Sequence, residues 1–200
     1  MKLIYKINLI MKYLLLLLLY LLPIDDLVLV DKGIYLSSYS QALKNPLSVK
    51  YSVYHFKGDT SVSRAGLNFR SELGVKTASN NDFTSNKWDK GHMCPAETFS
   101  NSLEHLKLTF SYVNCAVQHY QLNRGLWAKL ENKERQWSQE DSLIIIVTVL
   151  FDTPIKKLPT GAAIPSYFVK DIFFYYSAKK LRYKFPNKAC TGGLDKYLIK

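Results

Sequence analysis

Four side chains between residues 90 and 131 have the types that hydrolytic chemistry uses: Lys90, His92, Asn123 and Glu131. A neutral imidazole is the one side chain whose ordinary pKa makes it a fair proton acceptor near pH 7, so His92 is a candidate general base. Asn123 offers an amide oxygen. Magnesium prefers oxygen ligands and keeps much of its water shell, so one neutral oxygen suffices as an anchor when water and substrate complete the sphere. Glu131 follows eight residues later. In a regular helix that is ~12 Å of rise and roughly 80° of rotation, which keeps it out of an inner shell shared with Asn123 and suits contact through water. Each residue also has a plain reading. His92 could be a satisfied structural histidine, Asn123 a helix cap, and Glu131 a solvated charge paired with Arg135 at i,i+4.

The order of residues around them decides between these readings. Trp88-Asp89-Lys90-Gly91-His92-Met93-Cys94-Pro95-Ala96 is followed by Asn114, Gln118, Asn123-Arg124-Gly125-Leu126-Trp127 and Leu130-Glu131, with nine residues from Asn114 to Asn123 and eight from there to Glu131. This ordered set resembles the DNA/RNA non-specific endonucleases, the ββα-metal or His-Me finger nucleases. Their signature is Asp-Arg-Gly-His with a Pro-Ala pair, then Asn, Gln, Asn-x-Gly-x-Trp and Leu-Glu. The resemblance implies an α+β fold with a central, mainly antiparallel sheet flanked by helices. It implies a Mg²⁺-dependent (Mn²⁺ as a substitute) endonuclease acting on DNA and RNA and leaving 5′-phosphate ends. It makes His92 the general base, Asn123 the sole direct metal ligand and Glu131 a neighbour of the metal-bound waters. Asn114 supports the site and Arg135 contacts the phosphate region. Arg64, ahead of Phe69, matches the family's substrate-binding Arg before an aromatic. Lys90 stands where the family has Arg, so a bidentate fork on phosphate becomes a point charge with looser geometry and an expected lower activity.

These residues need a scaffold. Leu47–Phe56, rich in β-branched and aromatic residues, reads as a strand. Residues 57–88 read as a long polar surface loop. Leu106–Val113 alternates apolar and polar residues, a half-buried strand pattern ending at Asn114. From Gln118 to Trp137 the pattern turns helical, with Leu122, Leu126 and Leu130 as a core stripe beside Trp127. Leu143–Phe151 and Tyr167–Tyr176 read as two apolar, buried strands joined through Pro154, Pro159, Gly161 and Pro165. Gly91 reads as a flexible point before His92.

The chain has 200 residues, of which 48% are hydrophobic and 22% charged, so it is neither disordered nor fibrous. The net charge of +11 suits a polyanionic partner, DNA and RNA above all. Lys2, Lys6 and Lys12 precede Tyr13–Ile24, an uncharged run with eight leucines. That is the layout of a secretory signal peptide. At 12 residues it falls short of the ~20 that span a bilayer. Residues 1–24 are thus set apart as a leader or anchor and 31–200 as one endonuclease domain. Secretion is the expected localisation, with membrane anchoring through an uncleaved leader or an organelle as alternatives. Without the leader the charge is still +8, so the basic character belongs to the domain. Cys94, Cys115 and Cys190 allow at most one disulfide, and a Cys94–Cys115 bridge would brace the site. Two other functions remain open: a catalytically impaired nucleic-acid-binding relative, signalled by Lys90, and a secreted protein binding other polyanions.

Overall fold

A computed structural model describes residues 26–54 and 62–199. Six strands form one antiparallel sheet: β1 (Leu27–Asp31), β2 (Tyr35–Ser40), β3 (Asn45–Val53), β6 (Leu143–Leu150), β7 (Tyr167–Phe174) and β8 (Lys180–Pro186), in the order β1-β2-β3-β6-β7-β8. A separate antiparallel pair, β4 (Trp88–His92) and β5 (Cys115–His119), leads into a helical segment. That segment is a short turn Tyr120–Leu122, a wide π turn Asn123–Trp127 and helix α2 (Ala128–Trp137). Helix α1 (Leu103–Thr109) lies in the connection between β4 and β5.

The ββα unit packs on one face of the large sheet. Leu143, Ile145, Val147 and Val149 alternate inward along β6 and meet Leu122, Leu126, Trp127 and Leu130 in one buried core. The apolar run of β6 is therefore central, but only one face enters the core; Ile144 and Ile146 are half-buried on the other. β7 is a larger departure from expectation. Its run is not apolar throughout, for Lys170 is buried at 0% exposure and Asp171 is buried beside Arg182, bonded at 2.6 Å. The leader falls outside the described residues. Leu27–Val30, an apolar extension of it in sequence, is instead edge strand β1. Asp26 is buried there and accepts from Ser40 Oγ at 2.6 Å.

Two segments differ from their sequence pattern. Leu106–Val113 is no strand: α1 starts at its N-cap Ser102, whose hydroxyl accepts from His105 N–H, and a one-turn helix Tyr112–Asn114 follows. The competing signal was helical, with Leu106 and Phe110 four apart and both buried. Likewise Gln118 belongs to β5, and the helical segment opens only at Tyr120. From residue 62 on, the polar stretch before β4 is docked rather than loose. Arg70 N–H donates to Phe110 O and Tyr112 N–H to Arg70 O, both at 2.9 Å, and Ala78 and Asp82 are buried. Cys94, Cys115 and Cys190 are all free thiols, so no disulfide braces the site.

Gly91 is not a hinge either. It sits inside β4 opposite Ala116, and a Cβ there would lie 2.3 Å from Gln118 Oε1 and 2.7 Å from Gln118 Cβ. The near approach of a side-chain root, which cannot swing away, requires glycine. Gly91→Ala is expected to destabilise the fold by about 1–3 kcal/mol through overpacking. A urea midpoint unchanged from the parent chain would contradict that.

Candidate active site

β4, the π turn and α2 together wall a cavity of about 570 Å³. Lys90 and His92 reach it from β4, Asn123 from the start of the helical segment and Glu131 from α2; Arg64 and Phe69 close it from the docked stretch. The chain thus brings His92, Lys90, Asn123, Glu131 and Arg64 to one place.

The imidazole of His92 lies between Phe69 (centroids 4.7 Å apart) and Phe110 (4.9 Å, edge-on). Its Nε2 is buried and has no hydrogen-bond partner among the described residues. Burial, with the Arg64 guanidinium nearby, lowers its pKa to about 3, because both disfavour an imidazolium. The ring is therefore neutral throughout the physiological range, and a phosphate anion bound beside it would raise its basicity. Its backbone is fixed as well: Trp127 Nε1 donates to His92 O at 3.2 Å.

Asp89 sets the carboxamide of Asn123. Asn123 Nδ2 donates to Asp89 Oδ2 at 2.9 Å, which turns the amide oxygen away from that carboxylate. Arg124 holds Asp89 in turn, through Nε at 2.8 Å and Nη2 at 2.7 Å. The ideal-helix separation of Asn123 and Glu131 does not apply, because the chain kinks out of helical geometry at Gly125 (φ −108°, ψ −109°). Both side chains then face the same cavity.

Glu131 has a pKa raised to about 7, chiefly by burial and further by the Glu134 carboxylate, against the pull of Lys170 and Arg135 and a bond from Trp127. Behind it lies a buried ion pair, Lys170 Nζ to Glu134 Oε1 at 2.8 Å, with both side chains at 0% exposure. Tyr51 OH donates to Glu134 Oε2 at 2.8 Å, and Lys170 Nζ lies 4.2 Å from the Trp127 ring centroid.

Two expected site residues stand elsewhere. Asn114 is wholly buried and outside the cavity wall; its Oδ1 accepts from Cys94 N–H at 2.7 Å and its Nδ2 donates to Cys94 O and Thr109 O. Every polar atom is engaged, so it acts by pinning the turn after His92. Arg135 also stays off the wall, donating to Thr98 Oγ1 at 3.4 Å and to Asn132. Lys90 Nζ donates to Asn80 Oδ1 at 2.5 Å, and Tyr112 OH shares that acceptor. Asp89, Arg124, Asn80 and Phe110 were not singled out as site residues by sequence. For Asp89 the signal was present, as first letter of the His92 motif.

Among the described residues no group of three or more His, Cys, Asp or Glu could cage a metal. The oxygen donors on the cavity wall are the amides of Asn68 and Asn123 and the carboxylates of Asp89, Glu97 and Glu131. That set fits a hard divalent ion which retains water, and fits zinc poorly.

Two antiparallel strands and a helix, with a partnerless imidazole and a fixed carboxamide on one cavity, define the ββα-metal nuclease fold. The profile of the DNA/RNA non-specific endonuclease family matches residues 23–200, and the chain belongs to that family. Among its relatives are the mitochondrial nuclease EXOG of Danio rerio, 29% identical over 114 residues (56% of this chain, 33% of that protein), and the nuclease of Serratia marcescens, 27% identical over 151 residues (68% and 56%). The chain thus spans between a third and little over half the length of these relatives. The EndoG chain of a solved EndoG/EndoGI inhibitor complex superposes with a TM-score of 0.76 at 20% identity, over 86% of this chain and 80% of that one, a likeness of fold.

Proposed function

We propose that this protein is a magnesium-dependent, sugar-non-specific endonuclease that hydrolyses phosphodiester bonds of DNA and RNA and leaves 5′-phosphate ends. The observation that carries the reading is the neutral imidazole of His92 on the same cavity as the oriented carboxamide of Asn123. A water on the cavity side of the imidazole gives a ring nitrogen its proton as its oxygen bonds to phosphorus. The P–O3′ bond breaks, the 3′ oxygen takes a proton from solvent, and the phosphate stays on the 5′ side. Lys90, Arg64 and Arg124 place positive charge around the phosphate, and contact with phosphate rather than bases carries no sequence preference. Asn123, with Glu131 through water, would hold a divalent cation, which when bound polarises the phosphoryl oxygen and stabilises the leaving oxygen. The basic, apolar leader supports a place outside the cytosol, secreted or organellar.

Nicking of supercoiled plasmid and of RNA, with and without a chelator, tests the reading. Metal-dependent cleavage of both is expected. Tight DNA binding without cleavage would replace it with an impaired nucleic-acid-binding relative, and equal affinity for sulfated polysaccharide with a general polyanion binder.

Asn123→Ala is expected to raise the magnesium concentration at half-maximal activity by tenfold or more, the scale on which a lost partner of a metal site is felt. A superimposable magnesium titration would remove Asn123 as ligand.

The pKa values fix the direction of pH dependence. His92, neutral down to about 3, cannot set an acid limb near neutrality. Glu131, protonated below about 7, can: its carboxylate is lost as pH falls through that value. Activity at limiting magnesium should therefore decline below pH ~7, with a midpoint that moves to lower pH as magnesium rises. Glu131→Gln should abolish this limb. A limb near 6.5 surviving in that variant would belong to His92.

A further inference from the structure

A second cleft, of about 500 Å³, lies beside the catalytic cavity, and Trp88 lines both. Lys87, Lys156 and Lys188 line it together with Tyr167, against the single acid Asp152. Lys184 Nζ stands 4.3 Å from the Tyr167 ring centroid, and Lys87 Nζ 5.2 Å from that of Trp88. All four lysines are exposed, and both aromatic side chains are half-buried. The floor is rigidly tied to the catalytic strands. Buried Asn187 donates through Nδ2 to Val117 O and Pro165 O, and its Oδ1 accepts from His119 N–H at 2.7 Å. Val117 and His119 belong to β5, which pairs with β4 at Lys90 and Trp88. The separation between cleft and His92 is thus built into backbone.

We propose that this cleft binds an unpaired stretch of the substrate strand next to the bond being cut. Its size suits a group of nucleotide dimensions. Aromatic side chains interleaved with ammonium groups are the chemistry of single-strand grooves, where bases stack and phosphates pair. A duplex would offer the lysines its phosphates but keep its bases from the rings. The inference rests on the nuclease reading for its meaning, though its binding test does not.

The test is binding of labelled single-stranded and duplex oligonucleotides to the full chain in chelator, by fluorescence anisotropy across a salt series. Lys156→Glu/Lys188→Glu is compared with Lys50→Glu/Lys180→Glu, exposed lysines away from the cleft with the same change of charge. The cleft pair should weaken single-strand binding at least tenfold. It should also flatten the slope of log affinity against log salt by about 0.7 for each phosphate no longer neutralised. Duplex binding should fall no more than with the control pair. Tyr167→Ala should cost roughly tenfold on single strands by loss of stacking. Equal losses from both pairs, or equal losses on both nucleic acids, would overturn the proposal. Cleavage of a mononucleotide diester, measured in parallel with metal, should stay within twofold in the cleft pair. If the parent chain cleaves nothing, the nuclease reading fails while the binding data still judge the cleft.

Discussion

His92→Ala should reduce plasmid cleavage by ~10²–10⁴-fold, the usual contribution of a positioned general base, while affinity for DNA is retained. The structure makes this a clean experiment. The imidazole is held by ring contacts with Phe69 and Phe110, and its Nε2 bonds to nothing among the described residues, so truncation orphans no polar partner of that nitrogen. Neighbouring geometry is anchored through backbone: His92 O by the Trp127 indole, and the following turn by Asn114 on both polar groups of Cys94. The positive charges that meet phosphate, Lys90, Arg64 and Arg124, remain. A variant with a native unfolding midpoint, normal binding and lost cleavage is the signature of a missing base. A rate within threefold of the parent chain would move the base elsewhere and leave His92 a packing residue. Loss of cleavage and binding together would indicate a collapsed cavity, which His92→Gln, closer in volume, would then separate from chemistry.

The ββα unit was legible because its motif residues are local: Asp89 to Ala96 and Asn123 to Glu131 are short runs whose order carries the meaning. The strands β3, β6 and β7 were legible from β-branched and aromatic runs, and Leu122, Leu126 and Leu130 from their period. What escaped depends on contacts distant in sequence. β1 is a short edge strand, and β2 turns Ser37 and Ser40 inward, where Ser37 Oγ is satisfied by Val113 O, 76 residues away. Nothing near Gly91 announces that Gln118 stands over it. Asn123 and Glu131 share a cavity across a kink at Gly125, which regular periodicity cannot represent. Segment 103–110 shows the ordinary ambiguity of alternation: Leu108 and Phe110 fit a strand, Leu106 and Phe110 a helix, and the Ser102 cap favours the helix.

Lys170 is the clearest case of a residue whose meaning is tertiary. Within Tyr167-Phe168-Val169-Lys170-Asp171-Ile172 it interrupts an apolar run, and its ammonium lies in the core against Glu134 and over Trp127. A buried pair gains little over a well-packed apolar replacement, but breaking it leaves one charge without its counterpart. Lys170→Met keeps an unbranched side chain one heavy atom shorter and removes the ammonium. The expected cost is about 3–5 kcal/mol of unfolding free energy, read from urea titrations. Glu134→Leu alone should cost a similar amount, because the ammonium then lacks its carboxylate and Tyr51 OH its acceptor. The double variant should recover much of the loss, since neither charge remains, and the recovery measures the coupling directly. Additive losses would mean that packing rather than charge pairing holds these residues. Activity supplies a second readout. Lys170 lowers, and Glu134 raises, the pKa of Glu131, so Lys170→Met should move the acid limb of cleavage above pH ~7 and Glu134→Leu below it. Opposite displacements from two variants of similar instability cannot come from general loosening, and they would connect the buried pair to the cavity through the carboxylate between them.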